Sequence, residues 1–215
     1  MDKKSILKGL EQLKKDSKKR NFNQTVDVII TLQDLNLKKP EEQVDFFANL
    51  HFSTGNQQTV CAFVGPELAD EAKIVCDETI PQTRFVEFKD KKKSKALAKK
   101  YDYFIAQGSL MTAVAATFGR TLGPRGKMPN PKVGGIVAAK PQIKPLYEKL
   151  QKTVHVVAKK EPVVHVAVGK EDTDPEQIID NIQMIYNQLV HHLPKEKNNI
   201  KGIYLKFTMS KPVKI

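Results

Sequence analysis

The sequence predicts a mixed α/β and α+β protein with two domains, one of them inserted into the other. Segments near both ends of the chain alternate apolar and polar residues, which is typical of strands with one buried face. The middle of the chain contains an apolar run without alternation, typical of a strand covered on both faces. Strand and helix patterns then take turns through this middle part, which favours a three-layer α/β unit.

The N-terminal part predicts one helix and two strands. Apolar residues spaced three and four apart between residues 5 and 19 predict an amphipathic helix. Residues 25–32 alternate strictly and predict a half-buried strand, and residues 44–52 predict a second one. The polar residues 53–56 predict the turn that closes this part.

The middle part predicts a series of short elements. These are, in order, a strand over 60–64, a helix that opens at Pro66, a strand over 83–88, a helix within the basic run 89–100, a strand over 103–106, a helix over 110–118 and a helix over 145–152. Proline suits the first turn of a helix. Ser109 is the expected N-cap of the helix over 110–118, and Gly119 is its expected end.

The C-terminal part returns to alternation. Residues 154–158 and 163–168 predict two strands that run back on each other as a hairpin, with Gly169 ending the second. An aspartate followed by proline predicts a helix with a buried apolar stripe that starts at residue 174. Residues 203–209 alternate again and predict the last strand.

Neither end of the chain has enough elements to bury its own apolar faces. The economical solution is a discontinuous domain made of residues 1–58 and 154–215, with an α/β domain inserted over residues 59–153. The chain would then cross twice between the domains, and we expect the two crossings to act as a hinge.

The charge balance indicates a polyanionic partner. The 215 residues include 36 Lys and Arg against 24 Asp and Glu, a net charge of +12. This surplus favours nucleic acid or an anionic membrane, and no apolar run approaches the roughly 20 residues of a membrane span. Cys61 and Cys76 each lie in an apolar stretch, which predicts buried free thiols in a reducing cytoplasm rather than a disulfide or a metal site.

An unusual run at residues 118–132 combines glycines, prolines and four cationic side chains. Glycine permits close backbone approach, whereas proline fixes φ and removes a donor. The mixture predicts a rigid cationic loop, neither helix nor strand, that suits a partner made of phosphates. The candidate contact residues of this run are Gly119, Arg120, Gly123, Pro124, Arg125, Gly126, Lys127, Met128, Pro129, Asn130, Pro131 and Lys132.

A nucleotide-binding loop is disfavoured at this run. Such a loop needs G-x-x-x-x-G-K followed by Ser or Thr, whereas the Gly126-Lys127 pair is followed by Met128. Thr121 stands where the first glycine belongs, and Pro124 removes an amide that would face a phosphate. A solvated basic turn is the plainer alternative.

The run Gly119–Lys132 resembles the signature of the L-one family of large-subunit ribosomal proteins, and the segments Asn21-Phe22, 162–165 and 206–209 resemble its archaeal type. The resemblance implies a discontinuous RRM-like split β-α-β terminal domain and an inserted Rossmann-like three-layer α/β/α domain. It implies a monomer within the ribosome that binds large-subunit rRNA, forms a mobile stalk beside exit-site tRNA and, in many members, represses its own mRNA. No cofactor is implied.

Three places in the terminal domain resemble the family's RNA-contacting residues. They are the segment with Arg20, Phe22, Thr25 and Asp27, the segment with His165, Gly169 and Lys170, and the segment Thr208-Met209-Ser210. An aromatic ring among cations can stack on a base or ribose. A carboxylate repels phosphate, so Asp27 would accept hydrogen bonds from a ribose hydroxyl or a base amine. The family usually has glycine where Ser210 stands, and the serine side chain would limit backbone approach to a ribose.

These candidates also have plain structural alternatives. Phe22 would cap the core between the first helix and strand, Asp27 would be a solvated strand residue, and Met209 would end the core face of the last strand. The run at 118–132 would provide a secondary RNA contact in the inserted domain, or would touch the other domain.

The sequence does not indicate catalytic residues or a metal site. The five histidines show no spacing typical of helix-borne ligands, and no Cys-x-x-Cys occurs. His155 and His165 would meet across the expected hairpin, but strand histidines are more often exposed than ligating. Asp172 and Asp174 precede a helix and fit capping better than acid–base work. A phosphate- or nucleotide-handling α/β enzyme and a generic RNA-binding protein are the alternatives to a specific rRNA-binding protein.

Overall fold

The computed structural model describes residues 2–137 and 143–215 of the chain. The helices of this part are α1 (Lys3–Asp16), α2 (Ala69–Val75), α3 (Lys91–Lys100), α4 (Met111–Leu122), α5 (Ile143–Gln151) and α6 (Pro175–His192). The strands are β1 (Thr25–Leu32), β2 (Val44–Asn49), β3 (Val60–Val64), β4 (Glu78–Pro81), β5 (Tyr103–Gln107), β6 (Ile136–Val137), β7 (Thr153–Ala158), β8 (Val163–Lys170), β9 (Ile200–Phe207) and β10 (Val213–Lys214). No helix in the described ranges is long and apolar enough to cross a membrane.

The chain separates into two compact units. Unit 1 contains residues 1–56 and 152–215, and unit 2 contains residues 57–151. Strands in unit 1 pair antiparallel, whereas those in unit 2 pair parallel. This combination confirms the predicted mixed α/β and α+β class.

Unit 1 is built on a four-stranded antiparallel sheet in the order β10-β9-β1-β8, together with the strand pair β2-β7. The strand β1 lies between β9 and β8. Its alternation is strict, so every second side chain is buried and the others are half-buried. Helices α1 and α6 pack onto the buried face and close one continuous apolar core.

Helix α6 supplies the longest apolar stripe of this core. The Asp174 carboxylate accepts a hydrogen bond from the Glu176 amide at 3.2 Å, which confirms the predicted cap. The buried stripe consists of Ile178, Ile182, Ile185 and Leu189. Full burial of such a side chain contributes about 1.5–3 kcal/mol, so this stripe fixes α6 firmly against the sheet.

The predicted hairpin between residues 154–158 and 163–168 is wrong. The strand β7 pairs with β2, and β8 pairs with β1 from Thr25↔Lys170 to Thr31↔Val163. β1 and β8 are each eight residues long, so their ladder forms a longer buried face than pairing with the six residues of β7 would. His155 therefore does not face His165 across a hairpin. Its Nε2 lies 2.6 Å from Asp45 Oδ1.

Unit 2 is organised around a four-stranded parallel sheet in the order β4-β3-β5-β6. Every residue of β3 is buried, as expected for a strand covered on both faces. Cys61 and Phe63 belong to the core that this strand shares with α3 and α4. Helix α2 packs against β3 and against α5.

The predicted strand over residues 83–88 is also wrong. Residues Gln82–Lys89 form a 3₁₀ helix, and the strand beside β3 is β4, which lies just before it. A period of three residues per turn places Phe85 and Phe88 on the same side, where both join the core of unit 2. Their aromatic, β-favouring character suggested a strand, but packing onto Phe118 decided the conformation.

Helix α4 extends further than predicted at its C-terminal end. Gly119 lies inside the helix, and Ser109 lies in a preceding 3₁₀ turn without capping α4. Phe118 and Leu122, four residues apart, are fully buried on one helix face. The burial of that face outweighs the low helix propensity of the glycine, which is about 1 kcal/mol.

Candidate nucleic-acid interface

Three strand ends meet at one edge of the sheet in unit 1. The first residue of β1, Thr25, pairs with Lys170 at the end of β8. On the other side of β1, Val26 pairs with Phe207 at the end of β9. The antiparallel order therefore brings together all three segments that resemble RNA-contacting residues.

Two hydrogen bonds between Thr25 and Thr208 close this edge. The Thr25 amide donates to Thr208 Oγ1 at 3.1 Å, and the Thr208 amide donates to the Thr25 carbonyl at 3.1 Å. The chain thus leaves β9 two residues earlier than predicted, since the strand ends at Phe207 and residues 208–210 form a turn.

Gln24, which the sequence analysis did not single out, supports this turn from the side of β1. Gln24 is only 1% exposed. Its Oε1 accepts from the Met209 amide at 3.2 Å, and its Nε2 donates to Glu171 Oε2 at 3.3 Å. The burial of Gln24 could have been predicted from the sequence, because Gln24 continues the even-numbered series of buried residues in β1. A glutamine at such a position needs hydrogen-bond partners, and here it finds them on both neighbouring segments.

Two apolar side chains near this edge face solvent. Met209 is 60% exposed and Phe22 is 52% exposed. Neither residue therefore belongs to the core, so the structural alternatives for both, a cap on the core and the end of the core face, are wrong. Both side chains are therefore available for contact with a partner.

Ser210 stabilises the turn through its hydroxyl group. Its Oγ accepts a hydrogen bond from the Phe207 amide at 2.9 Å and donates to the Lys211 carbonyl at 3.0 Å. The hydroxyl is thus occupied by the protein backbone.

Asp27 lies on the half-buried side of β1, directly opposite Lys206 on β9. Burial raises the pKa of its carboxyl group above the usual 3.8, while His165 and Lys206 act in the opposite direction. Lys206 in turn donates from Nζ to the Thr208 carbonyl at 3.1 Å. The carboxylate is therefore neither freely solvated nor tightly paired, so it retains acceptor capacity for a ligand.

The Gly169-Lys170 pair divides into a buried and an accessible part. A Cβ at Gly169 would lie 3.0 Å from Ile178 Cγ1, so the glycine lets α6 approach β8. The side chain of Lys170 lies along Gly55, whose φ of +75° forms a left-handed turn. A Cβ at Gly55 would lie 3.1 Å from Lys170 Cδ. The lysine stem is held by this turn.

The candidates of unit 1 do not all lie at the sheet edge. His165 is exposed but pairs with Ile29, four residues along β1 and thus about 13 Å from Thr25, although it is near enough to Asp27 to act on the charge of that carboxylate. We call the remaining accessible candidates the strand-end surface, namely Arg20, Phe22, Thr25, Asp27, Lys170, Thr208, Met209 and Ser210.

The signature run in unit 2 is less irregular than predicted. Residues up to Leu122 complete α4, and both 123–125 and 131–133 form 3₁₀ turns. Gly126 has a φ of +66°, which ends the first of these turns. The prediction that the run contains no helix is therefore wrong, because tertiary burial of Leu122 extends α4 into it.

Several residues of this run serve the structure of unit 2. Lys127 Nζ donates to the Tyr101 carbonyl at 2.7 Å and lies 3.6 Å from Asp102 Oδ1. The Asn130 side chain accepts from the Lys132 amide at 2.9 Å, and Met128 packs against the core. Arg120, Gly123 and Pro124 are exposed and Gly119 is half-exposed, so these residues of the run remain accessible.

Cys61 and Cys76 are both buried, as predicted. Burial raises the pKa of both thiols, that of Cys76 to about 11. Within residues 2–137 and 143–215, no group of three or more His, Cys, Asp or Glu side chains is arranged to hold a metal ion.

Comparison with known proteins adds an independent observation. The model of the ribosomal protein L1p/L10e family matches residues 13–211. The large ribosomal subunit protein uL1 of Thermococcus kodakarensis is 34% identical over 218 residues, covering 100% of this chain and 98% of that protein. The protein of the same name from Methanothermococcus thermolithotrophicus is 36% identical over 216 residues, covering 100% and 99%. These relatives are archaeal, in agreement with the archaeal-type segments, and the chain belongs to the ribosomal protein L1p/L10e family.

Proposed function

We propose that this protein is a structural constituent of the large ribosomal subunit whose strand-end surface binds a folded element of large-subunit rRNA. The observation that carries the proposal is the Thr25–Thr208 closure, which fixes a turn that exposes Met209 at the strand ends where Lys170 lies, with the acceptor Asp27 two residues further along β1. A turn tied to β1 by two hydrogen bonds, with exposed apolar and polar side chains, suits recognition of RNA shape and ribose hydroxyls.

Different side chains of the strand-end surface would contact different parts of the RNA. Arg20 and Lys170 neutralise backbone phosphates, which supplies affinity that depends on salt. Asp27 accepts from a ribose hydroxyl or a base amine, because a carboxylate repels phosphate. Phe22 and Met209 cover ribose or base faces with apolar surface.

We further propose roles that follow from the family resemblance. The two chain crossings would let an inserted domain, residues 59–153, move on a terminal domain formed by 1–58 and 154–215. Such movement suits a stalk that assists the release of tRNA from the exit site. Repression of its own mRNA would use the same surface, on an RNA that mimics the rRNA site. The protein would act as a monomer on cytoplasmic ribosomes.

An enzymatic function is not proposed, because the family consists of ribosomal proteins and relatives bear the name of a subunit protein. A generic RNA-binding protein is the competing proposal, since a net charge of +12 alone attracts any polyanion.

Competition binding at physiological salt separates the two. Labelled stalk rRNA bound to the full chain is challenged with unlabelled stalk rRNA or with duplex RNA of equal length. Specific recognition predicts that stalk RNA competes about a thousandfold better. Equal competition by both RNAs would refute specific recognition and favour the generic protein.

A further inference from the structure

Unit 2 contains a cavity of about 210 Å³ between α3 and α4. It is lined by Lys91 and Ser94 of α3, by Thr117, Arg120 and Thr121 of α4, and by Phe88. Only Arg120 and Thr121 of this set lie in the signature run, so the site extends beyond the residues that the sequence singled out.

Helix periodicity explains why polar groups converge here. Thr117, Arg120 and Thr121 stand at positions i, i+3 and i+4 of α4 and therefore share one face. Lys91 and Ser94 stand three apart on α3. Two cations and three hydroxyl groups form a donor set without a carboxylate, which is the chemistry that binds a phosphate.

Ser94 points independently to a ligand. The residue is 2% exposed, and its Oγ has no hydrogen-bond partner in the described part of the chain. Its amide is already satisfied by the Asp90 carbonyl at 3.1 Å. A buried hydroxyl without a partner is rare and unfavourable in proteins. Rotation about χ1 lets this hydroxyl turn towards the cavity that the residue lines.

The surroundings of the cavity are strongly cationic. Helix α3 contains six lysines and no acidic residue. Arg125 Nη1 lies 3.5 Å from the Lys95 carbonyl, which brings a further cation to the same helix. The nearby carboxylate of Asp90 is occupied as the N-cap of α3, accepting from the Lys92 amide at 2.9 Å.

We propose that this cavity binds a phosphate group of an RNA backbone, with Lys91 and Arg120 neutralising its charge and the three hydroxyl groups donating to its oxygens. The lysines along α3 favour RNA over a free phosphate, because a polyanion gains from each further phosphate that is neutralised. The source of the phosphate rests on the proposed RNA-binding function. The site itself does not depend on the strand-end surface.

Ser94→Ala tests the site most sharply. It removes only the hydroxyl, and because that hydroxyl has no partner, the unfolding temperature should stay the same or rise. Thr79→Val is the matched control, since it removes another buried hydroxyl without a partner, on β4 and away from the cavity. The control for Arg120→Gln is Lys73→Gln. Lys73 belongs to α2, and its Nζ lies 3.3 Å from Asp70.

The first readout is NMR titration of the full chain with inorganic phosphate. We expect the amide signals of α3 and α4 to shift in the wild type and in both controls. Ser94→Ala should bind phosphate about tenfold more weakly, and Arg120→Gln should show no phosphate binding. The second readout is the salt dependence of RNA binding. Arg120→Gln should make the negative slope of log K against log salt shallower by about 0.7–0.9, whereas Lys73→Gln should leave the slope unchanged.

Each alternative result is decisive. Absence of phosphate-induced shifts in the wild type would overturn the site. Loss of phosphate binding in Arg120→Gln with unchanged RNA binding would assign the site to a free phosphate instead of RNA. Failure of the proposed rRNA function would appear separately, as loss of discrimination between stalk and duplex RNA while the phosphate shifts persist.

Discussion

Thr25 and Thr208 join the first strand of unit 1 to the turn after β9, although 183 residues separate them in the sequence. Each threonine amide bonds an oxygen of the other residue at 3.1 Å. The same turn exposes Met209, and Gln24 holds it in place from the side of β1. The strand-end surface is therefore complete only when both ends of the chain have folded together.

Thr208→Ala should weaken this closure. The Thr25 amide loses its acceptor, so the free energy of unfolding should fall by about 0.5–1 kcal/mol. Stalk rRNA should bind about tenfold more weakly, because the turn loses one of the two bonds that join it to Thr25. Urea unfolding and RNA titration measure the two effects. Thr208→Ser keeps the hydroxyl and should behave like the wild type; a serine variant as impaired as the alanine variant would contradict the role of Oγ1.

Met209→Ala should separate binding from stability. Because Met209 is 60% exposed, the free energy of unfolding should change by no more than about 0.5 kcal/mol. Affinity for stalk rRNA should fall about tenfold, while affinity for random duplex stays constant. Ile74→Ala removes an apolar side chain that is 86% exposed on unit 2 and serves as the control. Equal losses on both RNAs would show that Met209 does not recognise the stalk.

Ser210→Gly should destabilise the protein without improving RNA binding. The Phe207 amide loses the acceptor at 2.9 Å, and glycine adds flexibility, so the free energy of unfolding should fall by about 1–2 kcal/mol. Ser210→Ala separates the two causes, since it removes the hydroxyl alone. Tighter binding of stalk rRNA by the glycine variant would mean that the serine side chain does restrict approach to the ribose.

Asp27→Asn should reveal the raised pKa of the Asp27 carboxyl group through the pH dependence of stability. The Asp27 carboxyl group keeps its proton to higher pH in the folded protein than in the unfolded chain, where its pKa is 3.8. The wild type therefore loses stability, relative to the variant, as pH rises from about 3.8 through the folded pKa, and the difference is constant above it. Urea unfolding between acidic and neutral pH measures this difference. Asp172→Asn controls for loss of a surface carboxylate, and a wild type that gains stability over Asp27→Asn across this window would contradict the assignment.

Gly119→Ala should stabilise unit 2. Gly119 lies within α4, and apart from its chain neighbours and the backbone of α4 itself, no atom of residues 2–137 and 143–215 lies within 4 Å of the position its Cβ would occupy. The free energy of unfolding should rise by about 0.5–1 kcal/mol. If RNA approaches this face closely, affinity should fall at the same time. Ala116→Gly, on the same helix, should lower stability by a similar amount and leave RNA binding unchanged. A stabilised variant with unaltered RNA affinity would remove Gly119 from the contact surface.

The sequence was sufficient wherever one local pattern dominated. The bounds predicted for β1 and β3 are the observed ones, because strict alternation and an uninterrupted apolar run each fit one kind of strand. The Asp174 cap was equally plain. The composition of the run at 119–132 was unusual enough to indicate the family, which the comparisons then showed.

Other features depended on contacts that no local pattern contains. The 3₁₀ helix over Gln82–Lys89 and the extension of α4 past Gly119 both serve the aromatic core around Phe118. The pairing of β8 with β1 in place of β7 was a choice between two acceptable partners. The hydrogen-bond partners of Gln24 could not be predicted, because they lie 147 and 185 residues away along the chain.

The sequence by itself determined the class of the protein, most of its strands and helices, its cationic character and the residue types available for RNA binding. These properties follow from spacing and composition, which are local. The tertiary structure alone decided which strands pair, which glycines are buried or free, and that Thr25, Lys170 and Met209 share one edge while His165 does not. Strand pairing and side-chain burial depend on residues that are far apart in the chain. Local sequence patterns therefore do not distinguish the alternative pairings, and the tertiary contacts decide between them.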